Sequence, residues 1–169
     1  VMRTFVGDEG LAHLAGLTKL KRLELRGTLV GDDGLVHLAK LPNLVLLDLA
    51  ETGVGDAGLA QLAGLDKLAM LDLWDTRVGD EGMAAVGQLA GLVSLNLQNT
   101  AVGDAGLAQL TGLEKLESLT LSGTRVTAAA GATLAKLPRL RQVSLAFTDV
   151  GDNAVATLAA ERPGLVIER

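Results

Sequence analysis

Residues 44–65 read LVLLDLAETGVGDAGLAQLAGL, and residues 68–89 read LAMLDLWDTRVGDEGMAAVGQL, the same pattern 24 places on. In the first stretch Leu47 and Leu49 alternate with other residues, the period of a strand with one face inward. The apolar residues then fall three apart, at Leu59, Leu62 and Leu65, the stripe of a helix. One unit is therefore strand, then helix. The register runs through the whole chain, marked by threonine at positions 4, 28, 52, 76, 100, 124 and 148 without an insertion or deletion. A fixed period of this length defines a solenoid, in which each unit buries its apolar face only against a neighbour. Strands that return after a helix pair in parallel, roughly 4.8 Å apart, and such crossovers are right-handed.

Composition narrows the function classes. The chain has 169 residues, 49% of them hydrophobic, enough for one domain over 1–169 with a continuous core. With one Trp, two Phe and no Tyr, leucine, valine and alanine must fill that core. Asp, Lys, Gln or Arg interrupts every repeat before the ~18 apolar residues of a membrane span accumulate. No basic, apolar and small-residue succession opens the chain, so the reading favours the cytoplasm over export. The absence of cysteine excludes disulfides and thiolate chemistry. A net charge of −5 argues against a nucleic-acid partner, which calls for clustered Lys and Arg.

The shared pattern is LxxLxLxxTxVGDxGLxxLxxL, and it resembles the leucine-rich repeat family over almost the whole chain. More narrowly, the segments TLVGDDGLVHLAKL, TGVGDAGLAQLAGL and TAVGDAGLAQLTGL look like the bacterial 24-residue helical class, similar to GALA-type repeats and to tandem arrays of planctomycete-like genomes. The resemblance implies an α/β leucine-rich repeat solenoid of about seven repeats, with a parallel concave sheet, convex helices and a truncated first repeat. This chain places Thr where the family commonly places a ladder-forming Asn. The hydroxyls of Thr28, Thr52, Thr76, Thr100, Thr124 and Thr148 are expected to satisfy backbone groups of the turn in its stead.

Asp8, Asp32, Asp56, Asp80, Asp104 and Asp152 form a column just ahead of the helical stripe. One acid per repeat falls short of the six to eight oxygens that calcium takes, whereas Asp at a helix start is a favoured N-cap. These residues are read as caps on their own helices, and the preceding glycines as turn formers rather than a phosphate cradle. In the sixth unit Thr127-Ala128-Ala129-Ala130 replaces that step, and Thr127 is expected to take over as N-cap with the helix starting about one residue earlier. His13 and His37 share one column without a third ligand and are read as solvated surface residues. No Ser, Cys or carboxylate has a plausible orienting partner, so neither catalysis nor a cofactor is expected.

Function then lies in the columns that vary. Side chains between the inward leucines project from the concave sheet. Among them Leu46, Asp48, Glu51, Met70, Asp72, Trp74, Asp75 and Phe147 are the candidate binding residues. An unburied Trp74 flanked by Met and Leu reads as an anchor, because interface hot spots favour large aromatics. The competing reading is that Leu46, Met70 and Trp74 only pack on one another across neighbouring strands. The surrounding carboxylates favour a basic protein or peptide and a salt-sensitive association.

The chain opens at the last inward position before a turn, so the first strand is truncated and the residues suggest a missing upstream part. Val1–Arg3 are expected to be weakly ordered, and an uncapped first repeat invites end-to-end self-association. Glu161, Arg162 and Pro163 break the leucine pattern near the other end, before a last charged strand. The leading function is a protein- or peptide-interaction scaffold. The alternatives are a structural or engineered spacer without a ligand, and the substrate-recognition part of a larger effector.

Overall fold

The computed structural model describes residues 2–169. Among these residues, β1 (Arg22–Glu24), β2 (Leu46–Asp48), β3 (Met70–Asp72), β4 (Ser94–Asn96), β5 (Ser118–Thr120), β6 (Gln142–Ser144) and β7 (Val166–Glu168) form one parallel sheet in sequence order. Leu23 pairs with Leu47, Leu47 with Leu71, and so on to Val143 with Ile167, so the 24-residue period is the register of the sheet. Between the strands lie α1 (Asp8–Ala12), α2 (Leu35–Leu38), α3 (Asp56–Leu59), α4 (Met83–Val86), α5 (Asp104–Ala108) and α6 (Ala130–Leu134), with α7 (Asp152–Glu161) before the last strand. All but α7 are a single turn, shorter than the stripe suggests, and 3-10 turns at Ala60–Leu62 and Gln109–Gly112 prolong two of them. Apolar residues strictly three apart fit the three-residue turn of a 3-10 helix better than a period of 3.6. No described helix is long and apolar enough to cross a membrane.

The leucine columns form one continuous core. Leu25, Leu49, Leu73, Leu97 and Leu121 are fully buried beneath the sheet, each contributing roughly 1.5–3 kcal/mol. Each column threonine donates its hydroxyl to the carbonyl three residues earlier, from Thr28 to Leu25 through Thr148 to Leu145, at 2.6–2.7 Å. The turn backbone is satisfied as the sequence suggests, but within a repeat rather than between repeats. Immediately before each threonine the chain turns left-handed: φ is 64° at Gly27, 55° at Glu51, 53° at Asp75, 55° at Asn99, 69° at Gly123 and 56° at Phe147. Glycine meets that demand without steric cost, whereas Glu51 and Phe147 are held there against it. Glu51 is held by pairing outside the strands proper, its N–H on the Trp74 carbonyl at 2.8 Å, as the Gly123 N–H is on that of Ala146 at 2.8 Å.

The aspartate column does not cap its own helices; α1, α3 and α5 start without a side-chain cap bond. Instead Asp8, Asp32, Asp56 and Asp80 accept the N–H of Gly31, Gly55, Gly79 and Gly103, each one repeat ahead, at 2.6–2.7 Å. Those turn amides lie outside the strands, and a buried N–H without an acceptor is costly, so the carboxylate serves the neighbour's turn. A Cβ at Gly34, Gly58, Gly82 or Gly106 would come within 2.5 Å of the same carboxylate oxygen. The GDxG step is thus a staple between repeats: the first glycine donates, the aspartate of the preceding repeat accepts, and the second glycine leaves it room.

The sixth unit keeps the staple by other means. Asp104 accepts both the N–H of Thr127 at 3.0 Å and its hydroxyl at 2.6 Å. The helix there begins later than expected, at Ala130, and Thr127 serves Asp104 in addition to a long 3.3 Å bond from the Ala129 N–H. In the last described repeat Arg162 ties back to the preceding one, donating to the carbonyls of Ala135, Leu137 and Leu140 at 2.7–3.0 Å. At the near end Val1 lies outside the described residues, while the Arg3 N–H meets the Arg26 carbonyl at 2.7 Å.

Candidate protein-binding face

The sheet register places the varying residues in rows. Arg22, Leu46, Met70 and Ser94 stand side by side in one row, and Glu24, Asp48, Asp72 and Asn96 in the next. Both rows line a depression of 160 Å³ over the first four strands. Met70 is 47% exposed and Leu46 half-buried, so the apolar row is open to solvent. Asp48 and Asp72 each turn one oxygen back to the backbone, accepting the N–H of Ala50 and of Trp74 at 3.0 Å, as Asn96 does for Gln98. Each is therefore part of the strand exit as well as of the acidic face. Burial, more than the neighbouring charges of Asp72 and Glu24, pushes the Asp48 carboxyl above the usual carboxylate range.

Trp74 is not the bare anchor expected of it. Its ring is half-buried, and the Arg26 guanidinium lies 4.4 Å from the ring centroid, in position for a cation–π contact. Glu51 grips the same guanidinium through Nε at 3.2 Å and Nη2 at 2.7 Å, and Arg3 stands 3.6 Å from the second Glu51 oxygen. The Arg26 hydrogen bond holds the Glu51 carboxyl below its usual range. The indole N–H is buried and has no acceptor among the described residues. Arg26 reaches Trp74 from two strands away, roughly 9.6 Å, because the residue between them in that row is the small, fully buried Ala50. That long–small–aromatic order at positions 26, 50 and 74 is the signal in the sequence for a contact that period and charge alone do not reveal.

The structure thus brings Leu46, Asp48, Met70 and Asp72 together around the depression, and Glu51 and Trp74 together through Arg26. Asp75 follows Trp74 at the left-handed position. Phe147 stands apart, 94% exposed and three strands from Trp74, roughly 14 Å along the sheet. Arg22, Glu24 and Arg26, which the register places at the mixed-charge end of the concave face but outside the candidate binding set, join it at the depression and on Trp74. Among the described residues no group of three or more His, Asp or Glu is arranged to hold a metal ion.

An open parallel sheet with one short helical segment per 24-residue unit defines a repeat solenoid of the leucine-rich type. A family model described as a leucine-rich repeat region matches residues 7–161, and the chain belongs to that family. No curated protein matches the sequence. Among solved structures, internalin C2 of Listeria monocytogenes is similar at 26% identity and a TM-score of 0.69, over 93% of this chain and 74% of that one. A leucine-rich repeat protein of Leptospira interrogans is similar at 17% identity and a TM-score of 0.67, over 94% of this chain. The chain spans 51% of that protein's length. The leucine-rich repeat ectodomain of the Arabidopsis receptor kinase HAESA, solved with an extended IDA peptide hormone, is similar at 20% identity and a TM-score of 0.63, over 81% of this chain and 23% of that one. Leucine-rich repeat proteins are in general protein-interaction scaffolds, and the match indicates no enzymatic family.

Proposed function

We propose that this protein is a scaffold that binds a protein or peptide across its concave sheet, with β1–β4 as the principal contact and a basic segment as the partner. The observation that carries the reading is the pair of rows at the depression, an open apolar row beside an acidic one, where a spacer would present uniform polar columns. The HAESA ectodomain, a structural neighbour solved with a peptide, supports the class of ligand. The narrower likeness to GALA-type repeats supports substrate recognition within a larger effector, which would use the same face.

Ligands selected from a random peptide display library against the whole chain test the reading. Asp72→Arg on the sheet is expected to weaken selected ligands at least tenfold, and their affinity for the unaltered chain to fall as salt rises. Gln61→Arg, on an exposed 3-10 turn of the helical side, is expected to change nothing. Equal binding by Asp72→Arg and the unaltered chain would remove the concave sheet from the contact.

A further inference from the structure

The charges around the depression do not balance. Glu24, Asp48 and Asp72 line it, and Glu51 stands near them across Arg26, against Arg22 and Arg26. Both arginines are engaged: Arg22 Nε lies 2.6 Å from Glu24, and Arg26 is gripped by Glu51 and stacked on Trp74. Asp48 and Asp72 have no ion-pair partner within 4 Å among the described residues, although the Arg26 charge acts on both from further away; each has one oxygen on a backbone N–H and a second with no donor. Beside them, two residues back along the strands and so roughly 6.6 Å away, lie Leu46 and Met70.

Resting on the concave-face reading, we propose that this depression is a subsite for one lysine or arginine side chain of the partner, its aliphatic stem along Leu46 and Met70 and its cationic head between Asp48 and Asp72. Lys and Arg are the side chains that join an apolar stem to a charged head, and the two rows present those surfaces in that order. A purely apolar side chain would strip water from two carboxylates without replacing it, and an acidic one would be repelled. At 160 Å³ the depression is below the range of small-molecule pockets, roughly 300 Å³ upward, but it has room for a single side chain. One row further along, Arg26 already obeys the same rule, with a guanidinium held between an apolar surface and a carboxylate. Burial chiefly raises the proton affinity of Asp48, and Asp72 and Glu24 add to it while Arg26 offsets part of it.

The test uses the full chain and blocked tripeptides Gly-Arg-Gly, Gly-Lys-Gly and Gly-citrulline-Gly, followed by backbone amide shifts in NMR. The arginine and lysine peptides are expected to bind saturably at millimolar concentration, with the largest shifts at residues 46–48 and 70–72. The citrulline peptide, nearly isosteric with arginine but neutral, is expected to bind at least fivefold more weakly. Asp72→Asn keeps the backbone acceptor, as Asn96 does one strand on, and is expected to lose arginine binding at least fivefold with its thermal midpoint retained. Equal binding of citrulline, shifts centred on β5 and β6, or no saturable shift up to about 50 mM would overturn the subsite. If these probes fail while Asp72→Arg still abolishes a selected ligand, the scaffold reading stands and only the cationic subsite falls.

Discussion

Asp48 carries two duties that conflict. Its Oδ1 completes the strand exit by accepting the Ala50 N–H, and its charge faces Asp72 and Glu24 from a partly buried position. Because burial raises its carboxyl above the usual range, the folded chain favours protonation of Asp48 more than the unfolded chain does. Stability is then fully present below the ordinary carboxylate range and declines as pH rises through the raised value. Asp48→Asn keeps the acceptor and removes the charge, so it should be modestly more stable than the unaltered chain at pH 7. Urea titrations from pH 3 to pH 7 check this; the advantage should vanish at the acid end, and a variant less stable at pH 7 would contradict the assignment. Trp74 shows the limit of reading single residues. Its place on the sheet follows from the register, but its cover does not, because Arg26 reaches it across two strands from 48 residues upstream.

Strand positions follow from the sequence to the residue, since a period of two beside fully buried leucines leaves one register only. The stapling step was legible as a motif but not as a contact. Sequence proximity pointed Asp32 at its own helix, whereas its partner is Gly55, 23 residues on. The same staple explains why Gly58 sits inside α3, where alanine would favour the helix by about 1 kcal/mol. A Cβ there would stand 2.5 Å from Asp32 Oδ1 and 3.0 Å from its Cα. Gly58→Ala is therefore expected to destabilise by about 1–3 kcal/mol despite its better propensity. In Asp32→Ala/Gly58→Ala the two losses should add to less than their sum, a coupling that a double-mutant cycle in urea measures. The chain already samples two corners of that cycle: Ala128 and Ala154 replace both the aspartate and the glycine, whereas Asp104 faces a buried Ala130 and there accepts the Thr127 N–H at a longer 3.0 Å. Strict additivity would mean that the glycine is there for another reason.

Across the described repeats, stability is a sum over repeats and the interfaces between them, so weakening one interface loosens the repeats on either side of it first. Arg162 ties the last described repeat to its neighbour, with three carbonyls of the preceding repeat on one guanidinium. From sequence it was only a break in the leucine pattern, because a side chain bonding to carbonyls 22–27 residues behind leaves no periodic trace. Arg162→Ala should cost about 1.5–3 kcal/mol, the range of a hydrogen bond to a charged group. In hydrogen exchange the loss should fall first on α6, α7 and β7; an equal loss in β2–β4 would refute a local tie between these repeats. The staples, finally, all point one way along the chain: the acceptor at Asp8, Asp32, Asp56 or Asp80 always precedes its donor, by 23 residues. During synthesis, therefore, each turn leaving the ribosome meets a carboxylate already in place behind it, and the solenoid can be laid down in the order in which it is translated.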